Sequence, residues 1–525
     1  MRFALGVAAA LAAVAVSGAS AVRSAAPTLV AYGPAVISPN GNGVHDDVTL
    51  RVHAAPGSEL GLRAYVWGGR LHGWLRLRTG VTVTATGSGE ATASWGAITS
   101  DGRTLRDGSY LVTLCYKDPG ARLASVIAPA EQRPGAAEAT VSSPPWRFAG
   151  CLARPRVVRV ERLAAYVNST GSFEPGTRPP LVVSADRGQA SVQLEQDCSG
   201  RRFPAGALPR GQTPGLYHYV VTDPTGDETE APVVVRNGAF PVDHPPPHTA
   251  LVVYPYLTWR AYNGYDANLN GIPDSWYQFW RQRRVSLVGT ILPGGREDDF
   301  KATVGFSRWL CARAPRVQSV TDVELGRLPL STLRRYAAVW FPGHSEYYQP
   351  STWKLLRRYR DGGGNLVFLN ANPMYRQVRL DRAHNAMVMT DLDARDRGYS
   401  DFALAGVGYD GCCFPRSRAV RLAAATGAAY ARVRWLFRGT AIGPGASFGY
   451  AGSESDRIDP QLTPHDHVVA AEAIIAGNYG VVNAAMTWSR AGRGQVFATG
   501  NYDFLRMRRS VTWPILDNVW RRLVS

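Results

Sequence analysis

The stretch from Tyr336 to Leu369 constrains the fold of this chain more than any other. It opens on an apolar run, Tyr336 to Phe341, and closes on a second, Asn365 to Leu369. Between them Pro350 to Arg360 carries Trp353, Leu356 and Tyr359 near one face of a helix. The glycines from Gly362 to Gly364 stop that helix, because glycine tolerates the backbone turn that ends one. Strand, helix and strand in that order require a crossover, so the two strands lie parallel in one sheet. A further apolar run, Leu251 to Tyr254, supplies another strand. The reading is an α/β domain over residues 248–525, built on a mostly parallel sheet.

The chain before residue 248 reads as all-β. Val48 to Val52 and Tyr110 to Leu114 are strand-like runs, punctuated by Gly, Ser and Asp clusters. A first β-sandwich is expected over 28–148. A Pro- and Ala-rich interval, Pro129 to Pro145, leads to a second β domain over 150–240. That domain closes on two alternating runs, Leu216 to Val221 and Ala231 to Arg236, which suit a hairpin around Gly226. The tract Asp243 to His248 holds three consecutive prolines and makes a stiff linker. In the first region Trp95-Gly96, Asp101-Gly102, Leu105, Asp107-Gly108 and Tyr110 resemble the Ig-like domain family of flagellar hook-capping proteins. The resemblance implies a β-sandwich spacer or adhesion module and no chemistry.

The N-terminus has the three parts of a secretory signal. Arg2 precedes an apolar run from Phe3 to Val16, followed by the small residues Ser17 to Ala21. Cleavage after residue 21 is expected, and with it a secreted, extracytoplasmic protein. The run is too short to span a bilayer, which takes about 20 apolar residues. No transmembrane segment is therefore expected in the mature protein. The formal charge of +17 favours anionic partners such as a surface polymer. Its basic residues are scattered rather than gathered in one tract, so a nucleic-acid partner is not expected. Six cysteines in an exported chain permit disulfides, and Cys115 with Cys151 is a candidate pair. Adjacent Cys412 and Cys413 suit no mutual bridge. With no CxxC pair, neither a zinc site nor a thioredoxin-like redox function is indicated.

In open α/β sheets, ligands bind beyond the carboxyl ends of the strands. Three polar clusters fall there: Trp259 to Asn263, Gly343 to Tyr348, and Asn370 to Pro373. Phenolate and carboxylate are hard oxygen donors that suit a hard cation, which could polarise an amide carbonyl or acidify a bound water. A nearby Glu could then shuttle protons. Ser345 is a possible nucleophile, but nothing in the sequence identifies its base.

Two segments carry oxygens at alternate positions around glycine. One, Ser38 to Asp47, suits a calcium loop or an Asx-rich turn equally. The other runs from Asp266 to Asp274 as D-x-N-x-N-G-x-x-D. Asp266, Asn268, Asn270, the Ile272 carbonyl and Asp274 match the first nine positions of an EF-type loop. Tyr277 stands where that loop would place its bidentate Glu. The expected ion is calcium.

Taken in order, Thr258 to Asn263, Phe341 to Tyr348, Gly362 to Asn372 and Ser453 to Arg457 resemble the C-terminal half of the N,N-dimethylformamidase large (beta) subunit. The hairpin before them resembles the β-domain leading into it, so the likeness runs over about residues 200–525. It implies a glutamine-amidotransferase or flavodoxin-like fold. It also implies mononuclear iron held by two tyrosines and a glutamate. Glu346 matches the metal-binding glutamate and Tyr262 one tyrosine; Tyr265 and Tyr277 are candidates for the other. His344, Asn372 (with Asn370 as its alternative) and Glu454 match the residues lining the site. The amidotransferase relatives carry a nucleophilic Cys in the turn from Gly343 to Glu346, and this chain has none there, which favours a metal-bound water. The expectation is an exported metal-dependent hydrolase of an amide or related C–N bond, with a small-molecule amide or a cell-surface substrate. The competing expectation is a non-catalytic surface or cell-wall binding protein that keeps the α/β fold.

Overall fold

The computed structural model describes residues 26–38, 46–67, 74–105, 107–117, 137–141, 150–161, 163–185, 189–204, 208, 210, 213–224, 226, 228–238, 245–263, 265–266, 274–276, 284–290, 299–391, 399–414, 420–451, 453–477 and 480–525. The signal segment, most of the Ser38 to Asp47 loop and residues 267–273 of the second oxygen-rich loop lie outside them. The chain is multidomain and strand-rich, with several separate sheets.

The first two sheets enclose one apolar core. A three-stranded sheet is formed by Thr28–Gly33, Val48–His53 and Glu90–Trp95. Glu90–Trp95 alternates exposed and buried residues, the mark of a strand with one solvated face. The facing sheet runs through Glu59–Trp67 and Gly108–Tyr116. Leu50, Val52, Leu62, Trp95, Val112 and Leu114 close the space between. Arg156–Val160 pairs with Gly108–Tyr116, so the first unit runs past the expected border at residue 148. The Cys115–Cys151 disulfide joins Gly108–Tyr116 to the residues just before Arg156–Val160.

The second β region has its own core around Leu194, Phe203, Tyr217, Val221 and Val233. Its hairpin pairs Gly215 with Val235 through to Thr222 with Glu228. A disulfide from Cys198 to Cys311 ties this region to the C-terminal part of the chain. Glu324 adds a polar tie, accepting from the Ser172 backbone N–H at 3.0 Å.

In the C-terminal part, β1 (Ala250–Tyr254) leads into the short helix α1 (Tyr256–Ala261). Helix α2 (Asp299–Leu310) and strand β2 (Val317–Thr321) come after it, then β3 (Ala338–Phe341), α3 (Pro350–Asp361) and β4 (Asn365–Phe368). Next come β5 (Gly408–Phe414), β6 (Val420–Ala424), β7 (Ser447–Ala451) and β8 (Ser453–Arg457). The chain ends on β9 (Asp466–Gly477), β10 (Gly480–Ala491), β11 (Gly494–Ala498) and helix α4 (Arg509–Leu523).

The large sheet has the order β2-β1-β3-β4-β11-β10-β9-β6-β7. Its first five strands are mutually parallel and the rest antiparallel. Every residue of β1, β2 and β3 is buried, as expected of parallel strands covered on both faces. Alternate residues feed two cores. Val252 and Trp340 face one, where Trp340 stacks on Trp309 at 5.5 Å and meets Trp520 at 5.7 Å. Leu251, Val339 and Phe341 face the other, with Leu356 and Tyr359 of α3. Gly364 after α3 is needed for space: a Cβ there would lie 2.2 Å from the Tyr359 ring. That close approach lets the chain turn directly from α3 into β4.

Candidate active site

The parallel strands occur in the order second, first, third, fourth, fifth, so the chain reverses direction between β1 and β3. Such a reversal opens a crevice at the strand ends. The segments after β1, β3 and β4 all leave there. Helix α1 begins at once after β1, and all six of its residues are buried. Asp322 accepts from the Leu257 N–H at 3.2 and 3.1 Å. Arg260 is buried and donates to the carbonyls of Ser286, Val288 and Gly289 at 2.8–2.9 Å. Thr258 Oγ1 accepts from the backbone N–H groups of Glu346 and Tyr347, at 3.1 and 3.3 Å. These contacts fix α1 against the turn after β3 and present Tyr262, at the helix end, to Glu346.

The Tyr262 hydroxyl donates a short hydrogen bond to Glu346 Oε2. His344 is fully buried, with its ring edge-to-face between Tyr262 (5.5 Å) and Tyr502 (5.3 Å). Its Nε2 lies 3.2 Å from Glu454 Oε2 and 3.8 Å from Glu346 Oε2. Asn372 Nδ2 donates to Glu454 Oε2 at 3.0 Å. Tyr262, His344, Glu346, Asn372 and Glu454 therefore form one contiguous cluster. Asn372, not Asn370, makes the contact with Glu454.

Glu454 belongs to no strand of the parallel set, and its arrival needs an explanation. Strand β8 pairs with β5 and bridges to the segment after β11. Asp456 N donates to the Gly500 carbonyl at 2.9 Å, and Tyr502 N to the Glu454 carbonyl at 3.2 Å. Since β11 pairs with β4, this stitching sets β8 across the carboxyl edge. Alternation along β8 puts Glu454 and Asp456 on the same side. Both reach Asn372: Glu454 holds its side chain, and the two oxygens of Asp456 accept its backbone N–H at 3.0 and 3.2 Å. Asn372 has φ +57°, a left-handed conformation that Asn adopts more readily than most residues.

Several members of the cluster were not singled out from sequence. Asp456 is fully buried, and burial pushes its carboxyl up to about 8, outweighing the Asn372 N–H that lowers it. Tyr347 is also buried, and burial together with Glu346 drives its phenol well above the ordinary range. Burial does the same to Tyr409, followed by Glu454 and Glu346. Arg376 Nε lies 3.7 Å from Glu346 Oε1, and its guanidinium stacks on Tyr375 at 4.2 Å. Its backbone N–H donates to the Glu346 carbonyl at 2.9 Å, in the small sheet that pairs Tyr347–Tyr348 with Arg376–Asp381. Strand alternation was the available signal for Asp456. Arg376 and Tyr409 had none, because small-sheet pairing and a distant strand place them.

Other expected residues lie apart from the cluster. Tyr265 packs under the Arg159 guanidinium at 5.1 Å, away from the carboxylates, so it is not the second tyrosine of this cluster. Tyr277 lies outside the described residues. Of the oxygen-rich loop, Asp266 and Asp274 are described and buried, and Asp274 N donates to the Tyr265 carbonyl at 2.9 Å. Asn268, Asn270 and Ile272 lie outside the described residues. Among the described residues no three His, Cys, Asp or Glu side chains gather as a metal cluster, and no helix is long and apolar enough to cross a membrane. Ser345 Oγ donates to the Gly343 carbonyl at 3.1 Å.

The sequence model of a family described as N,N-dimethylformamidase beta subunit-like, C-terminal, matches residues 201–507. No curated protein matches the chain. Among solved structures, a β-galactosidase from Bacillus circulans sp. alkalophilus aligns at 11% identity and TM-score 0.29, covering 43% of this chain and 27% of that one. An exo-β-1,4-mannosidase from an Opitutaceae bacterium aligns at 13% identity and TM-score 0.25, covering 53% of this chain and 36% of that one. The mmIFT52 N-terminal domain aligns at 12% identity and TM-score 0.26, covering 42% of this chain and 90% of that one. The chain thus spans about a third or less of the length of the glycosidases it matches. At these scores no functional argument rests on any of them.

Proposed function

Because the chain belongs to the N,N-dimethylformamidase beta subunit-like C-terminal family, matched over residues 201–507, we propose that it hydrolyses an amide or related C–N bond. The observation that carries this reading is the contiguous set Tyr262, Glu346, His344, Glu454 and Asn372, drawn from segments nearly two hundred positions apart. Packing alone gives no reason to bury two carboxylates against one imidazole, since buried charge is costly unless it is used or paired. The proposed fold of this domain is flavodoxin-like, supported by the parallel strand order and by the site's position at the chain reversal.

Iron is the cofactor proposed for this site. The donor chemistry fits: a phenol and a carboxylate meet at Tyr262 and Glu346, both hard oxygen donors. These two residues would hold the ion, and Tyr347 is the neighbouring phenol on which Glu346 acts. A bound ion of this kind supplies Lewis-acid polarisation of a carbonyl and acidifies water. The protein's own groups do the rest. Glu454 Oε2, close to His344 Nε2 and held by Asn372, is placed to accept a proton from water and return it to the departing nitrogen. His344, wedged between two rings, keeps that carboxylate oriented. Glu346→Ala should abolish iron binding, whereas Glu454→Gln should retain iron and lose about 100-fold or more of turnover. Iron analysis beside an amide-hydrolysis assay checks both. Full turnover in the Glu454→Gln enzyme would remove the proposed proton carrier.

A second reading concerns the first β-sandwich. Arg63, Arg76, Arg78 and Lys117 line a groove of about 290 Å³. Glu59, bonded to Lys117 at 2.7 Å, is the acidic partner at its edge. This basic groove supports binding of an anionic surface polymer by the exported protein, with the α/β domain either catalytic or not. Charge reversal at Arg63 and Arg78 should abolish salt-sensitive retention on an anionic polysaccharide resin. Unchanged retention would discount the groove.

A further inference from the structure

Two arginines at the amino edge of the large sheet share one indole. Strand β11 runs parallel to β4, so its first residues, Gly494 and Gln495, stand at the end of the sheet opposite the candidate active site. Strand β10 finishes beside them, with Arg490 in register with Gln495. Helix α4 brings Arg522 to the same place, where its Nε donates to Gln495 Oε1 at 3.2 Å. The Trp488 Nε1–H donates to that same oxygen at 3.2 Å. The Arg522 guanidinium lies 4.6 Å from the Trp435 ring and 5.0 Å from the Trp488 ring, and the Arg490 guanidinium lies 5.4 Å from Trp488. Both arginines are exposed. Asp466 stands opposite Arg490 in the register, but its carboxylate is held by Arg432. Among the described residues no carboxylate lies within ion-pair distance of Arg490 or Arg522. Partial desolvation, followed by the charge on Arg490, pulls the Arg522 guanidinium below its ordinary range. Two like charges held together on an aromatic support thus lack the anion that would offset their repulsion.

We infer that Arg490 and Arg522 bind a carboxylate of an acidic polysaccharide, so that the protein docks on the polymer by the amino edge of the sheet and leaves the crevice at the carboxyl edge uncovered. The inference depends neither on the hydrolase reading nor on the groove of the first β-sandwich. A guanidinium fork matches the two oxygens of a carboxylate and is weakly hydrated. Gln495 and the two indoles fix Arg522 before any ligand arrives, which lowers the entropy lost on binding. Other polyanionic surfaces fit less well. The indole faces are occupied by guanidiniums, which leaves no platform for a nucleic-acid base. No exposed large apolar side chain stands in the cluster to enter a bilayer.

The test is calorimetric titration of the full-length protein with polygalacturonate at low ionic strength, where surface charge is least screened. The variant carrying Arg490→Gln and Arg522→Gln should bind about 10-fold or more weakly than wild type. A control carrying Arg154→Gln and Arg382→Gln removes the same charge from exposed positions elsewhere and should stay within about 2-fold of wild type. Circular dichroism checks the fold of each. If the first variant does not fold, Arg490→Gln alone decides, with an expected loss of about 3-fold or more. Loss confined to the Arg490 and Arg522 variants supports the inference, whether or not any amide is turned over. No binding by wild type, an equal loss in the control, or duplex DNA bound as tightly as polygalacturonate overturns it. Unchanged affinity in the Arg490 and Arg522 variants overturns it as well, since the groove of the first β-sandwich would then account for the binding.

Discussion

Asp456 makes the sharpest test of how the site is held together. Its carboxyl is fully buried and titrates at about 8, against 3.8 for an exposed Asp. An acid whose pKa is raised by folding binds its proton more tightly in the native state. Between the two values the native state therefore carries more protons than the unfolded chain, and stability falls as pH rises through that window. Each pH unit is worth at most about 1.4 kcal/mol for one such group. Asp456 also faces Asp401, His344 and Glu454, which share the titration. Halving the limit for that coupling leaves about 2 kcal/mol lost between pH 5 and pH 8. That corresponds to a fall of roughly 4–8 °C in the melting temperature of a unit this size. Asp456→Asn keeps an oxygen to accept the Asn372 N–H and has no proton to lose. The variant should show a shallower fall over this range and melt above wild type at pH 8, with the remaining slope carried by Asp322, whose buried carboxyl is likewise raised. Calorimetry of both proteins at pH 5, 6.5 and 8 decides it. A wild-type melting temperature that rises over this range, or an Asp456→Asn variant that keeps the wild-type slope, refutes the reasoning.

Three further outcomes are expected. Trp340→Ala removes a fully buried indole that stacks on Trp309 and meets Trp520, and should cost about 3–5 kcal/mol in denaturant titration while leaving the β-sandwich transition in place. If Asp266, Asn268, Asn270, Ile272 and Asp274 hold calcium, added calcium at about 100 times its Kd should stabilise the fold by roughly 2.7 kcal/mol; a melting curve unmoved by chelator would make the loop an ordinary turn. N-terminal sequencing of the protein from culture medium should start near Val22, and a chain that keeps its first 21 residues in the cytoplasm would remove the export reading.

Much of the fold was legible in sequence because it depends on local rules. The apolar runs at Leu251, Tyr336 and Asn365, the face of Trp353, Leu356 and Tyr359, and the glycines after Asp361 are read residue by residue, and the strands and helix occur where those patterns lie. The motif order located Tyr262, His344, Glu346, Asn372 and Glu454, since each comes after a strand or sits in a strand of its own. Sequence could not say that Glu454 crosses the sheet edge, because pairing of β8 with β5 and with the segment after β11 puts it there. Nor could it say where Tyr265, a candidate for the second tyrosine, would go: three positions after Tyr262, which reaches Glu346, it turns under Arg159. The pairing of Cys198 with Cys311, the approach of Arg376 to Glu346 and the double hold on Asn372 have the same origin. Pattern along the chain determines which segments become strands and helices. Which side chains then face one another depends on register and crossover between segments far apart, and no local propensity encodes that.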